Sequence, residues 1–283
     1  MRLAEPLDQA TGLRRLFAPE PPFRSLGVLG PDPAAATRVS VALARGLGRR
    51  GGRVLLLDEA NAPHHAGGLL GVLARHTLGD ARQQGLPSLA QPAGDGIVLL
   101  AAPDGPATLA AWSEAELRDL AEDWRARVEA PEWLLVNGAG RTPEQALAAT
   151  ADERVLVLPG TRNKLADAYA VLKQAQARWS ASHWRVLVDG AGEDTAQELF
   201  ASLADTARRF LGLEADYLGH LPRARAGQPP QLLDGARMDR LAEQPPLEAG
   251  AGRVNFEQYW QRMWLHSRML VETGRPFGRQ ARR

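Results

Sequence analysis

The sequence predicts an α/β fold, a single doubly wound and mostly parallel sheet with helices on both faces. Two observations predict it. Short apolar runs of strand length alternate along the chain with longer amphipathic stretches of helical spacing. These short runs are apolar throughout, which is typical of parallel strands buried on both faces. A chain of 283 residues is long enough to build one such sheet around a continuous core.

The predicted strands and helices follow from these runs in chain order. Strands are predicted at residues 25–29, 53–57, 97–101, 133–136, 154–158, 185–188 and 217–221. Helices are predicted at residues 36–49, 113–128, 143–149, 164–179 and 194–211. Ser113 and Glu116 have the spacing of a capping box, which defines the start of the second helix. Ligands of such a sheet bind at the carboxyl ends of its strands.

The chain divides into three predicted segments. Residues 1–24 form an N-terminal arm that is rich in proline at its end. Residues 25–222 form the α/β domain. Residues 223–283 form an irregular bridge with two proline pairs, followed by an amphipathic helix that packs on the same domain or extends it.

The composition excludes several classes of function. The chain is 45% apolar and 24% charged with a net charge of +1, so no nucleic-acid partner is predicted. It has no cysteine, which excludes disulfides and thiolate metal sites and is typical of a cytoplasmic protein. Residues 1–8 carry acids and no apolar stretch, so no signal peptide is predicted. No apolar run reaches membrane-spanning length.

The first strand, the loop after it and the next helix have the spacing of a phosphate-binding loop. Such a loop uses a lysine to neutralise the phosphates while glycine N–H groups surround them. The chain has only two lysines, Lys164 and Lys173, and neither lies in this region. The sequence therefore predicts a strand, loop and helix of nucleotide-binding type without the residues that hold the phosphates.

Residues 25–59 resemble the opening of MinD/ParA-type deviant Walker ATPases, whose loop reads roughly GKGGVGKT. Against that pattern Pro31 and Ala36 stand at the two lysine positions, and Asp32 lies in the glycine-rich turn after Gly30. Proline donates no N–H, and an aspartate repels phosphate. Thr37 is retained, and its hydroxyl could either ligate Mg²⁺ or cap the helix.

The positions that resemble the two switches of these ATPases are also altered. Residues 58–62 read DEANA where the family has DADLG, so Asp58 is kept but Ala60 replaces the aspartate that positions water. Asn137 stands at the aspartate of the second switch, and an amide can neither act as a general base nor offer a metal a full charge. The resemblance implies a P-loop NTPase fold with no catalytic residues of its own. ATP and Mg²⁺ would bind only if binding survives the degenerate loop.

Two later segments narrow the resemblance to FlhG/FleN proteins, the MinD-like ATPases that control flagellar number and placement. Residues 164–173 read KLADAYAVLK and resemble the family's TDAYALIK helix. Residues 217–222 read YLGHLP and are similar to its YVGxIP strand end. The resemblance covers residues 25 to about 222, which is most of the chain.

Residues 8–14 read DQATGLR and resemble the DQAxxLR motif through which FlhG proteins activate the GTPase FlhF. Carried over, Gln9 would enter the hydrolysis centre of that GTPase, Asp8 would cap the motif helix beside Ala10, and Leu13 and Arg14 would dock it. An amide suits this role because it can donate to one oxygen and accept from another. The alternative is a short amphipathic helix capped by Asp8 and without a partner.

The last predicted helix carries aromatic residues at helical spacing. They are Phe256, Tyr259, Trp260, Met263 and Trp264. MinD-like proteins often end in an amphipathic membrane-targeting helix, and tryptophan with arginine suits a membrane interface. The alternative is a helix packed on the domain's own core or on a partner.

No metal site is predicted. His64 and His65 lie together in the first switch region but have no third ligand at a suitable spacing, so we expect them to be solvated.

The resemblance implies a regulator of flagellar number or placement that acts as a pseudo-ATPase scaffold and stimulates an FlhF-type GTPase. Flagellar switch proteins or a flagellar transcription activator are further partners it implies, with peripheral contact to the membrane or the cell pole. Two alternatives stay open. One is residual ATP binding, with Arg38 as the nearest substitute for lysine. The other is a ParA-like positioning protein unrelated to flagella.

Overall fold

The computed structural model describes residues 23–177, 183–223, 233, 235–243 and 255–273. Its strands are β1 (Arg24–Leu29), β2 (Val54–Asp58), β3 (Gln91–Pro92), β4 (Ile97–Ala101), β5 (Trp133–Asn137), β6 (Glu153–Pro159), β7 (His183–Asp189) and β8 (Glu214–Leu221). They form one sheet in the order β3-β4-β2-β5-β1-β6-β7-β8. Every pairing is parallel except that of β3 with β4. The predicted fold class is confirmed.

The helices cover this sheet on both faces. They are α1 (Pro33–Gly48), α2 (Ala66–Leu70), α3 (Ala81–Gln84), α4 (Leu86–Leu89), α5 (Gly105–Ala110), α6 (Glu114–Arg127), α7 (Leu165–Gln176), α8 (Glu193–Leu211), α9 (Gly235–Glu243) and α10 (Phe256–Glu272). The predicted capping box is present, because Ser113 Oγ accepts from Glu116 N at 3.2 Å and Glu116 Oε2 accepts from Ser113 N at 2.7 Å.

Alternate strand residues belong to two separate apolar layers. One layer holds Leu55, Leu57 and Leu134 and is covered by α6, α7, α8 and α10. The other holds Leu56 and Leu135 and is covered by α1, α2 and α9. This alternation is the pleat of a sheet buried on both sides. It places α10 and α2 on opposite faces.

The structure corrects the prediction at several places. The helices α2, α3, α4, α5 and α9 were not predicted, and α9 lies in the segment that was expected to be irregular. The segment 143–149 is not an α-helix, because it forms a turn followed by a 3₁₀ turn at Leu147–Thr150. The buried carboxylate of Glu59 accepts hydrogen bonds from Leu147 N and Ala148 N, and these bonds replace those of a helix start. Strand β3 was missed because it has only two residues and pairs antiparallel.

Among the described residues, none of the helices combines the length and the apolar character that crossing a membrane requires.

Candidate functional site

The loop between β1 and α1 is short, and one of its side chains caps the N-terminus of the helix. Asp32 is the N-cap of α1, and its Oδ1 accepts from Ala35 N at 2.9 Å. A side chain at Gly30 would come within 2.9 Å of the carbonyl oxygen of Val157, so this position passes too close to β6 for any larger residue. Ala36 is fully buried inside the helix. The loop therefore presents a carboxylate at the helix N-terminus, where an anion would otherwise bind.

Three of the predicted site residues form one buried hydrogen-bond network. The amide Nδ2 of Asn137 donates to Thr37 Oγ1 at 3.0 Å and to Asp58 Oδ1 at 2.7 Å. Its Oδ1 accepts from Ser40 Oγ at 3.1 Å. All four side chains are buried. Asn137 thus uses both of its amide hydrogens on the hydroxyl and the carboxylate that face each other across the ends of β1, β2 and β5.

The same network holds the first switch region. Thr37 Oγ1 donates to the carbonyl oxygen of His64 at 2.7 Å. Asp58 accepts from Ala66 N at 2.6 Å and from Ala60 N at 3.2 Å. Burial raises the pKa of Asp58, and these hydrogen bonds, with that of Asn137, partly oppose the rise. The loop after β2 is therefore anchored by hydrogen bonds within the chain.

Ala60 and the two histidines of the same loop lie beside this network. The side chain of Ala60 is buried and packs into the layer under α1. Its methyl group cannot position a water molecule. His65 caps α2 by accepting from Gly68 N at 3.3 Å, and both histidines are exposed. In the part of the chain that the structure describes, no three metal-binding side chains come together.

Glu59 is a buried acid whose role the sequence analysis missed. Its two carboxylate oxygens accept from Leu147 N at 3.0 Å and from Ala148 N at 3.1 Å. Burial raises the pKa of Glu59 to about 7, although these two bonds and the charge of Arg141 oppose the rise. Nothing in the local pattern signals this role, because it depends on β2 and the loop after β5 meeting in space.

Two cationic side chains near this loop form ion pairs with acidic side chains. Arg38 Nη2 lies 2.5 Å from Asp189 Oδ2 at the end of β7. Burial raises the pKa of Asp189, and Arg38 opposes the rise. Lys164 Nζ lies 2.8 Å from Asp167 Oδ2, and the pKa of Lys164 is raised chiefly by that bond and slightly by Asp32. Lys164 therefore interacts electrostatically with Asp32 of the loop, although it lies just before α7 and not in the loop itself.

The aromatic face of α10 is buried against the domain. Phe256, Tyr259, Trp260 and Met263 are all buried, and Trp264 is half-buried with its Nε1 donating to the carbonyl oxygen of Trp112 at 2.9 Å. The Trp260 ring stacks on Trp112 and the Phe256 ring on Trp124. The face that would have met lipid therefore meets the protein's own core, as in the alternative interpretation of this helix.

The motif at residues 8–14, with Asp8, Gln9, Ala10, Leu13 and Arg14, lies outside the described residues.

Comparisons with known proteins agree with this fold. No protein-family model matches the chain. The antiactivator FleN of Pseudomonas aeruginosa is 27% identical over 191 residues, which cover 66% of this chain and 68% of FleN.

Solved structures show the same architecture. The MinC:MinD cell division complex of Aquifex aeolicus matches with a TM-score of 0.52 and 16% identity, over 92% of this chain and 99% of that chain. A putative plasmid partition protein of Borrelia burgdorferi bound to AMPPNP matches with a TM-score of 0.51 and 8% identity, over 87% and 99%. At these identities the two structures support the fold alone. The chain is thus similar in sequence to FleN, and it shares the fold of MinD/ParA-type proteins.

Proposed function

We propose that this FlhG/FleN-like regulator acts by protein contact and has no ATPase activity of its own. The observation that carries the proposal is the position of the Asn137 amide. It donates to Thr37 Oγ1 and Asp58 Oδ1 at 3.0 and 2.7 Å. A hydroxyl and a carboxylate oxygen are ligands of the kind that Mg²⁺ binds, and here the amide bonds both. The hydrogens of the amide therefore replace a cation by direct bonds within the protein.

The residues of the loop between β1 and α1 do not fit a nucleotide either. Asp32 holds its carboxylate over the start of α1, and Pro31 and Pro33 have no N–H to offer a phosphate. Arg38 is bonded to Asp189. A phosphate in the loop would meet a negative charge without a matching lysine, so the site does not fit Mg-ATP. In ordinary members of the family a nucleotide selects between two states. This chain has no nucleotide to select between such states, so the amount of the protein or the binding of a partner sets its activity.

The activity itself is the stimulation of an FlhF-type GTPase by the N-terminal arm. The support is the DQATGLR sequence at residues 8–14, carried on a chain that is similar to FleN. Gln9 is the residue that would enter the hydrolysis centre, where an amide can orient the attacking water. The protein acts in the cytoplasm, at the cell pole or the inner face of the membrane.

A second candidate function follows from the similarity to FleN. FleN is described as an antiactivator, so a flagellar transcription activator is a second candidate partner of this chain. This candidate does not need the arm, because it requires only a surface of the folded domain. The two functions therefore differ in their response to changes at Gln9.

The test is the GTPase rate of a cognate FlhF-type protein with and without the full chain. We expect stimulation by roughly tenfold or more, lost in Gln9→Ala and kept in Thr11→Ala, a matched change inside the same motif. If the intact chain gives no stimulation, the arm function is wrong and a positioning protein that uses the domain alone becomes the better account.

A further inference from the structure

We infer that an apolar groove along α10 is the docking site of the chain's own N-terminal arm. The groove has a volume of about 560 Å³ and runs between the outer side of α10 and the 3₁₀ turn at Leu147–Thr150. Its apolar wall includes Leu265 and Met269, which are 55% and 57% exposed and lie one helical turn apart. These two side chains offer an apolar surface on one wall of the groove to a segment that covers it.

The N-terminal arm precedes Phe23, the first described residue, which lies next to α10. Phe23 is buried, and its ring centroid lies 5.5 Å from that of Tyr259 and 6.3 Å from that of Phe256. From Tyr259 to Met269 the helix rises about 15 Å. Phe17 lies six positions before Phe23, and a chain of that length can span about 20 Å when extended. The arm therefore reaches the whole groove.

The sequence of the arm matches the groove in character. Leu13, Leu16 and Phe17 have the i, i+3, i+4 spacing of one helical face, while Arg14 and Arg15 fall on the other. An amphipathic segment of this kind binds by laying its apolar face into a groove.

The other segments outside the described residues match the groove less well. Residues 274–283 carry four arginines and no acid, and Phe277 is their one large apolar residue. The groove is edged by Arg262 and His266, which disfavour so basic a segment. Residues 244–254 hold only Leu247 and Val254 as large apolar residues, seven positions apart. The arm is the segment with three apolar anchors and a balance of acids and arginines.

Docking has a consequence for the activity. Leu13 and Arg14 belong both to the segment that enters the groove and to the motif that meets the GTPase. The arm cannot occupy both sites at once, so the groove is an autoinhibitory site. This consequence rests on the proposed function, but the docking does not.

The absence of cysteine makes the docking directly testable in the full chain. Leu16→Cys combined with Leu265→Cys should form an intramolecular disulfide in a glutathione buffer roughly tenfold or more faster than Leu16→Cys with Leu73→Cys. Leu73 is a matched control because it is 76% exposed and follows α2, on the opposite face of the sheet. Equal rates would overturn the inference, and so would disulfides that form only between two copies.

A second measurement does not depend on cross-linking. Met269→Asp should increase the rate of tryptic cleavage at Arg14 and Arg15 several-fold, because it removes the apolar wall that holds the arm. Leu73→Asp, which adds the same charge elsewhere, should leave the rate unchanged. Equal cleavage in the two variants would overturn the docking. Neither readout involves the GTPase, so failure of GTPase stimulation and failure of docking are distinguished.

Discussion

The side-chain amide of Asn137 donates a hydrogen bond of 2.7 Å to the buried carboxylate of Asp58. Asp58 closes β2 and Asn137 closes β5, and these strands are paired so that the two residues are direct neighbours. The amide also bonds Thr37 at the start of α1, so α1, β2 and β5 are joined by one side chain. A neutral donor here removes the repulsion that a second carboxylate would cause.

The first prediction concerns this pair. Asn137→Asp should lower the free energy of unfolding by about 2–4 kcal/mol at pH 7.5, because two buried carboxylates would then be in contact. One of the two would have a folded-state pKa above its unfolded value, so the folded state would bind more protons and the loss should shrink toward pH 5. Urea unfolding at both pH values measures this.

Asn61→Asp is the control for that experiment, because it adds the same charge at an exposed position of the switch loop. It should change stability by less than about 0.5 kcal/mol. An Asn137→Asp protein as stable as the wild type at pH 7.5 would contradict the description of the network.

The second prediction concerns the buried acid Glu59. Its pKa rises from 4.5 to about 7 on folding, so between these values the folded state binds more protons than the unfolded state. Stability should therefore fall as pH rises through this window, and Glu59 should account for about 3 kcal/mol of the fall. Glu59→Gln should remove this part of the pH dependence while costing about 1 kcal/mol for one lost acceptor. Urea unfolding between pH 4.5 and 8 measures both effects.

Glu122→Gln is the matched control, since Glu122 is exposed on α6. Its pH profile should overlay that of the wild type. If Glu59→Gln also overlays the wild type, the buried carboxylate is not the group that titrates in this window.

The third prediction separates the two interpretations of α10. Trp260→Ala should lower the free energy of unfolding by about 3–5 kcal/mol, because the ring is buried against Trp112. Val271→Ala, at an exposed position of the same helix outside the groove, should cost less than about 0.5 kcal/mol. If Trp260→Ala keeps its stability in urea but loses vesicle binding in a flotation assay, the aromatic face serves the membrane instead.

Much of the fold could be predicted from local pattern. The runs at β2, β4 and β5 are apolar except for the last residue of β2 and of β5, so both the strands and their burial follow from sequence. Thr37, Asp58 and Asn137 could likewise be identified by resemblance. The hydrogen bonds between them could not be predicted, because both bonds that Asn137 donates depend on α1, β2 and β5 meeting in space.

The features that the sequence did not predict correctly share one physical origin. The segment 143–149 looks helical by composition, but the carboxylate of Glu59 takes the N–H groups at Leu147 and Ala148. The aromatic residues of α10 have the spacing of either a core helix or a membrane helix, and only the residues that they contact distinguish the two. Tertiary contacts override local preference at both places.

The central claim is that the site no longer binds a nucleotide. The most direct measurement is the thermal unfolding midpoint of the full chain with saturating Mg²⁺ and ATP, compared with Mg²⁺ alone. The account predicts a midpoint that stays within about 1 °C, because a ligand that does not bind the folded state cannot stabilise it. A rise of roughly 5 °C or more would contradict the account.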